Sequence, residues 1–149
     1  TLPGGRDVSF SLVRFGTLAA SSSANLWFWD GQDDNGDGNW LDAAQNYRLN
    51  IPKNPPTEQF WSITVYDSDT KSMLPNAANL AARTSYDDLK KNADGSVDLY
   101  FGPDAPKGLE SNWIDTKPSK GFFVWFRSYT PTKAFFDKSW ALPDIEKRD

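Results

Sequence analysis

The feature that most constrains the fold is punctuation: apolar runs of strand length, each stopped by Pro, Gly, Asn or Asp before a helical period can establish itself. Side chains of a strand alternate between two faces, so an alternating run reads as a half-buried strand and an unbroken one as a strand buried on both sides. Val8 to Phe15 alternates for five residues and then slips by one, the mark of a bulge or strand end. Asn25 to Asp30 is short and aromatic, Tyr47 to Ile51 alternates cleanly, and Phe60 to Tyr66 is the strongest strand signal, closed by a turn at Asp67-Ser68-Asp69. Val97 to Phe101 follows the turn Asn92-Ala93-Asp94-Gly95, and the apolar run Gly121 to Tyr129 reads as a central strand. Between them lie a small polar stretch (16–23), an acidic Gly-rich loop (31–39), the stiff Pro52–Pro56 break and a long loop from Gly102 to Trp113. Met73 to Arg83 reads as a helical turn, and Ser85 as the cap of a second one over Tyr86–Lys90. Six or more short strands without a long helix predict an all-β, antiparallel sandwich of jelly-roll type with short helical turns in its loops. Its 149 residues suit one domain with a real core.

Composition removes whole chemistries. The chain has neither Cys nor His. It therefore builds no disulfide, no thiolate metal site, no Ser-His-Asp or Cys-His nucleophile, and no imidazole ligand set of the kind usual for zinc, copper or non-haem iron. The net charge of -4 is spread along the chain, unlike the basic footprint of a nucleic-acid binder. No apolar run is long enough to span a bilayer as a helix. Thr1 to Gly5 carry no charged-then-apolar targeting pattern, which leaves the compartment open, with a periplasmic or secreted setting as the expectation. Carboxylate chemistry, oxygen-ligand ions, Lys or Tyr catalysis, or binding without catalysis remain.

Three constellations survive that filter. Asp33, Asn35 and Asp37, followed by Gly38, copy positions one, three, five and six of a calcium loop, but position twelve is Ala44, where a bidentate carboxylate is needed. A solvated turn competes with calcium there. In the second, Glu110, Asn112 and Trp113 combine carboxylate, amide and indole in one loop, while Arg127 sits in an apolar strand, where an unpaired charge is costly. One reading pairs Glu110 or an Asp with Arg127 and lets Asn112 tie backbone groups. The other is a polar pocket, with Glu110 as acid or base, Arg127 holding a ligand and Trp113 stacking on it. Glu110 with Asp67 or Asp98 is also a candidate carboxylate pair for glycoside hydrolysis, which needs two such groups about 5–10 Å apart. The third constellation is Trp27, Trp29 and Trp40 around the acidic loop; rings beside Asp and Asn suit either saccharide stacking or sheet packing. Trp61, Trp125 and Trp140 are assigned to the core.

A series of segments resembles one known family: Asn46-Tyr47-Arg48-Leu49 with Ile51-Pro52, Phe60 to Asp67, Ser72-Met73-Leu74, Leu89 to Pro103, Ala105-Pro106-Lys107-Gly108, Glu110 to Trp113, and Phe135 to Trp140. Together they are similar to the bacterial family called domain of unknown function 1214, over about residues 42–149, with 1–41 a divergent part of the same domain. The resemblance implies a jelly-roll sandwich that forms the C-terminal part of longer proteins with a second β domain upstream. It also implies a hairpin tip at the acidic loop. No activity comes with it. The expected function is a non-catalytic binding or accessory module, with a small molecule, saccharide above all, as ligand. The alternatives are the C-terminal part of a hydrolase completed by another domain, and a self-assembling structural domain.

Overall fold

A computed structural model describes residues 25–30, by their backbone, and residues 40–148. Two sheets stack face to face. The first comprises β1 (Asn25–Asp30), β2 (Leu41–Asp42), β4 (Trp61–Asp67), β5 (Ala82–Thr84) and β8 (Gly121–Tyr129), in the order β1-β8-β4-β5, with β2 also on β8. The second comprises β3 (Asn46–Ile51), β6 (Val97–Gly102), β7 (Trp113–Asp115) and β9 (Glu146–Arg148), in the order β7-β6-β3-β9. The chain passes repeatedly from one sheet to the other, so most sheet neighbours are distant in sequence. The all-β sandwich expected from the punctuation is the observed architecture. One pair departs from the antiparallel expectation: β6 and β7 run parallel.

Alternation places the core. Trp61, Ile63 and Val65 of β4 and Phe122, Val124 and Phe126 of β8 face Tyr47, Leu49 and Ile51 of β3 and Val97, Leu99 and Phe101 of β6, all buried. The Phe122 ring joins the sheets, edge-on to Tyr47 at 5.7 Å and 6.1 Å from Phe101. β8 is central, as its unbroken apolar run predicts, and even its outward Phe123 is only 6% exposed. Trp61 and Trp140 both stack on the Phe126 ring, at 6.2 and 5.6 Å. Trp125, by contrast, is turned away from the core, on the outer face of β8.

Several local expectations are overturned. Met73 to Arg83 forms turns and the short strand β5 rather than a helical turn. The buried Asn76 amide donates to the Leu80 and Asp115 carbonyls, and its oxygen accepts the Leu80 amide, which satisfies the backbone without a helix. Ser85 caps nothing; its hydroxyl accepts the Trp61 amide, and residues 86–90 turn without helix. The loop before Trp113 holds a 3-10 turn (Glu110–Asn112) and continues into β7. The C-terminal arm carries a helix, α1 (Lys133–Phe136), and the edge strand β9. β1 and β2, which flank residues 31–39, both run antiparallel to β8 (Asp30 opposite Val124, Leu41 opposite Phe122). They are successive lengths of one edge, not the two arms of a hairpin.

Candidate functional site

The residues singled out in the sequence separate into two neighbourhoods. Asn112, buried to 1% exposure, is a structural hub. Its amide donates to the carbonyls of Lys90 and Asp98 at 2.8 Å, and its oxygen accepts the Lys90 amide at 2.8 Å. One side chain thus pins the 88–91 segment to β6. Beside it Trp113 donates its indole N–H to the Gly102 carbonyl at 3.0 Å. The exposed Glu110 carboxylate accepts the Gly108 amide at 2.9 Å, a bond that holds its pKa below the ordinary glutamate value. Glu110 and Arg127 are not partners. The arginine that reaches this loop is Arg83 of β5, which donates to the carbonyls of Trp113 at 2.8 Å and Glu110 at 3.3 Å, and whose burial lowers its pKa. No apolar flank advertised Arg83 in the sequence, because a three-residue strand leaves no period.

Asp67 closes β4. Its carboxylate accepts the Ser119 hydroxyl at 2.5 Å, the Thr70 and Asp69 amides at 2.8 and 2.9 Å, and the Thr70 hydroxyl at 3.2 Å. These donors, Ser119 foremost, depress its pKa. A general acid needs the opposite shift.

Arg127 belongs to the second neighbourhood, the outward face of β4 and β8. It donates to the Thr64 hydroxyl at 2.9 Å and to the Tyr66 hydroxyl at 2.5 Å. Its guanidinium lies 5.6 Å from the Trp125 ring and 5.8 Å from the Tyr66 ring, within cation–π range. The aromatic row continues along β8. Phe123 stands 6.3 Å from Trp125, 5.4 Å from Tyr66 and 5.3 Å from Trp40. Trp40 is 45% exposed, and the Lys71 ammonium sits 4.1 Å above its ring. Lys71 gets there from a left-handed backbone position (φ 59) in the Asp67–Ser72 turn, and it also donates to the Ser68 carbonyl. The backbone register of β1 sets Trp27 opposite Arg127 and Trp29 opposite Trp125. Asp33, Asn35 and Asp37, the calcium candidates, lie outside the described residues. Among the described residues no group of three acidic side chains is disposed to hold a metal.

Comparison with known proteins places the fold. It is similar to the VPA0106 protein from Vibrio parahaemolyticus, with TM-score 0.71 and 23% identity, over 84% of this chain and 31% of that one. It is also similar to an uncharacterized protein from Burkholderia cenocepacia, with TM-score 0.52 and 16% identity, over 85% of this chain and 29% of that one. At these identities the likeness is one of fold, and the chain spans about a third of the length of either protein. No curated protein matches it. A family model covers residues 27–133. It begins earlier than residue 42, so it takes in Trp27, Trp29 and the acidic loop, and it stops before the Phe135–Trp140 segment. The chain belongs to the family described as protein of unknown function DUF1214.

Proposed function

We propose that this domain is a non-catalytic binding module, an accessory to a longer protein, whose ligand surface is the outward face of β4 and β8 and whose ligand class is saccharide. The observation that carries the reading is the aromatic row Trp40–Phe123–Trp125 with Tyr66, bordered by the cations Lys71 and Arg127, with Trp40 its exposed member. Sugar rings present C–H faces that stack on aromatic side chains and hydroxyls that take hydrogen bonds from fixed polar groups. The hydrolase alternative gains less support. Asp67 accepts hydrogen bonds from Ser119 and from its own turn, Glu110 accepts one from Gly108, and both hold their protons less tightly than free carboxylates. Neither lies beside Arg127 in the hydrogen-bond network described above.

The test is titration of the chain with a panel of neutral and acidic oligosaccharides, followed by calorimetry. Trp40→Ala and Lys71→Met are each expected to weaken binding about tenfold while the melting temperature stays within a few degrees. Binding that survives both substitutions, or no binding by any saccharide, sinks this assignment. A ligand-free chain that elutes above monomer size would favour the self-assembling alternative.

A further inference from the structure

One end of the sandwich opens between the two sheets into a cleft of about 390 Å³, remote from the aromatic outer face and independent of the function proposed for it. Its size falls in the range of small-molecule sites, and the open end of a β-sandwich or barrel is a recurrent place for one. Trp61 and Val97, the first residues of β4 and β6, contribute to its apolar lining together with Leu89. Lys53, from the β3–β4 connection, and Lys91, from the segment before β6, both line it.

Both segments are held in place by bonds made elsewhere. On one side the β3–β4 connection is anchored beyond Lys53, where the buried Ser128 hydroxyl donates to the Pro56 carbonyl at 2.7 Å and Thr57 bridges to Pro131. Asn54, in a left-handed conformation (φ 56), turns the chain between that anchor and Lys53. On the other side, Asn112 grips Lys90 at both its amide and its carbonyl, which fixes Leu89 and Lys91 on either side of it. Lys91 is further bridged to Val97. The cleft is therefore preformed, and a ligand entering it has little chain to order.

The polar groups on its rim differ in what they have left to give. The Asp87 carboxylate is engaged by the Thr84 amide and hydroxyl, and the Asp94 carboxylate by the Ser96 amide and hydroxyl. The two ammonium groups close no ion pair among the described residues, although Lys53 lies near enough to Asp94 to favour its charged form. An apolar lining beside two cations that close no ion pair matches one kind of molecule. We infer that the cleft binds a small organic anion: a carboxylate on a flat or compact apolar body, its charge between Lys53 and Lys91 and its body against Trp61, Leu89 and Val97.

The experiment is amide and indole NMR on the isotopically labelled chain, titrated with phenylacetate, indole-3-acetate and hexanoate and, in parallel, with their neutral amides. At least one carboxylate is expected to shift the signals of Leu89, Lys91, Val97 and the Trp61 indole saturably. The Lys53→Ala/Lys91→Ala variant, altered only at exposed side chains, should keep the remaining spectrum and lose about tenfold or more in affinity. Three results overturn the inference: no shift at the cleft by any carboxylate up to about 10 mM, equal binding of the neutral amides, or undiminished affinity in the double variant. Shifts confined to the Trp40–Trp125 face would overturn it as well, and would leave the outer-face reading standing.

Discussion

Asn112 and Asp67 were both singled out in the sequence; Asn112 acts through fixed backbone groups, and Asp67 through the Ser119 and Thr70 hydroxyls together with the Asp69 and Thr70 amides. Replacing Asn112 by Ala strands the Lys90 amide and the Lys90 and Asp98 carbonyls in a site with almost no water access. A loss of about 3 kcal/mol is expected, read as a lower urea midpoint at unchanged slope. Asn112→Asp should be at least as damaging, because it aims a carboxylate oxygen at two carbonyls. Asp67 carries a pH signature. Its folded pKa lies below the ordinary value of 3.8, so its contribution is fully present above that value and disappears as pH falls through the depressed one. The stability gap between the protein and Asp67→Ala should therefore be constant near neutrality and narrow in acid. A gap that stays constant to low pH would show that the carboxylate's charge is not what the Ser119 and Thr70 donors hold. The arginine roles were the part that residue type alone misassigned. Arg127 stood out because its strand is apolar, yet its partners, Thr64 and Tyr66, lie on a strand some sixty positions away.

At the scale of elements, strands with several turns of alternation were readable and short ones were not. β3, β4 and β6 show their period over six or seven residues, and β8 shows an apolar run over nine. β5, β7 and β9 have three residues each, too few for a period, and exist because a neighbour supplies hydrogen bonds. Gly102 at the end of β6 shows how closely two elements meet. Its φ is +150, and a Cβ there would stand 2.2 Å from the Asn46 Oδ1 and 2.9 Å from the Asn46 Cα of β3. Gly102→Ala is expected to cost about 2 kcal/mol or more and to loosen the β3–β6 end. Chemical denaturation, with the Tyr47 amide as a local NMR reporter, measures both. A neutral substitution would mean that β3 yields easily at this point.

Across the whole molecule, protection should follow centrality rather than sequence position. β4 and β8 lie inside the first sheet, and Ile63, Val65, Val124 and Phe126 are almost without exposure. Their amides are expected to exchange with solvent only on global unfolding, while β9, an edge strand exposed at every residue, exchanges by local opening. Hydrogen exchange separates the two classes, and comparable rates in β9 and β8 would contradict this ranking. The two surfaces proposed for binding lie on this rigid frame. The outer face is built on its central strands, and the end cleft is held by side-chain anchors at Ser128 and Asn112.

The sequence by itself determined the class of the fold, the missing chemistries and the family. Strand periodicity, turn residues and the absence of Cys and His are local properties that need no partner to be read. Only the tertiary structure decided which residues share a surface. Sheet neighbours here come from distant stretches of chain, so Arg127 left Glu110 for Tyr66, Trp125 left the core for the outer face, and Lys53 and Lys91 came to line one cleft. Such juxtapositions are set by strand order and register. A single strand's pattern carries its own two faces, but not the identity of the strand that will lie beside it.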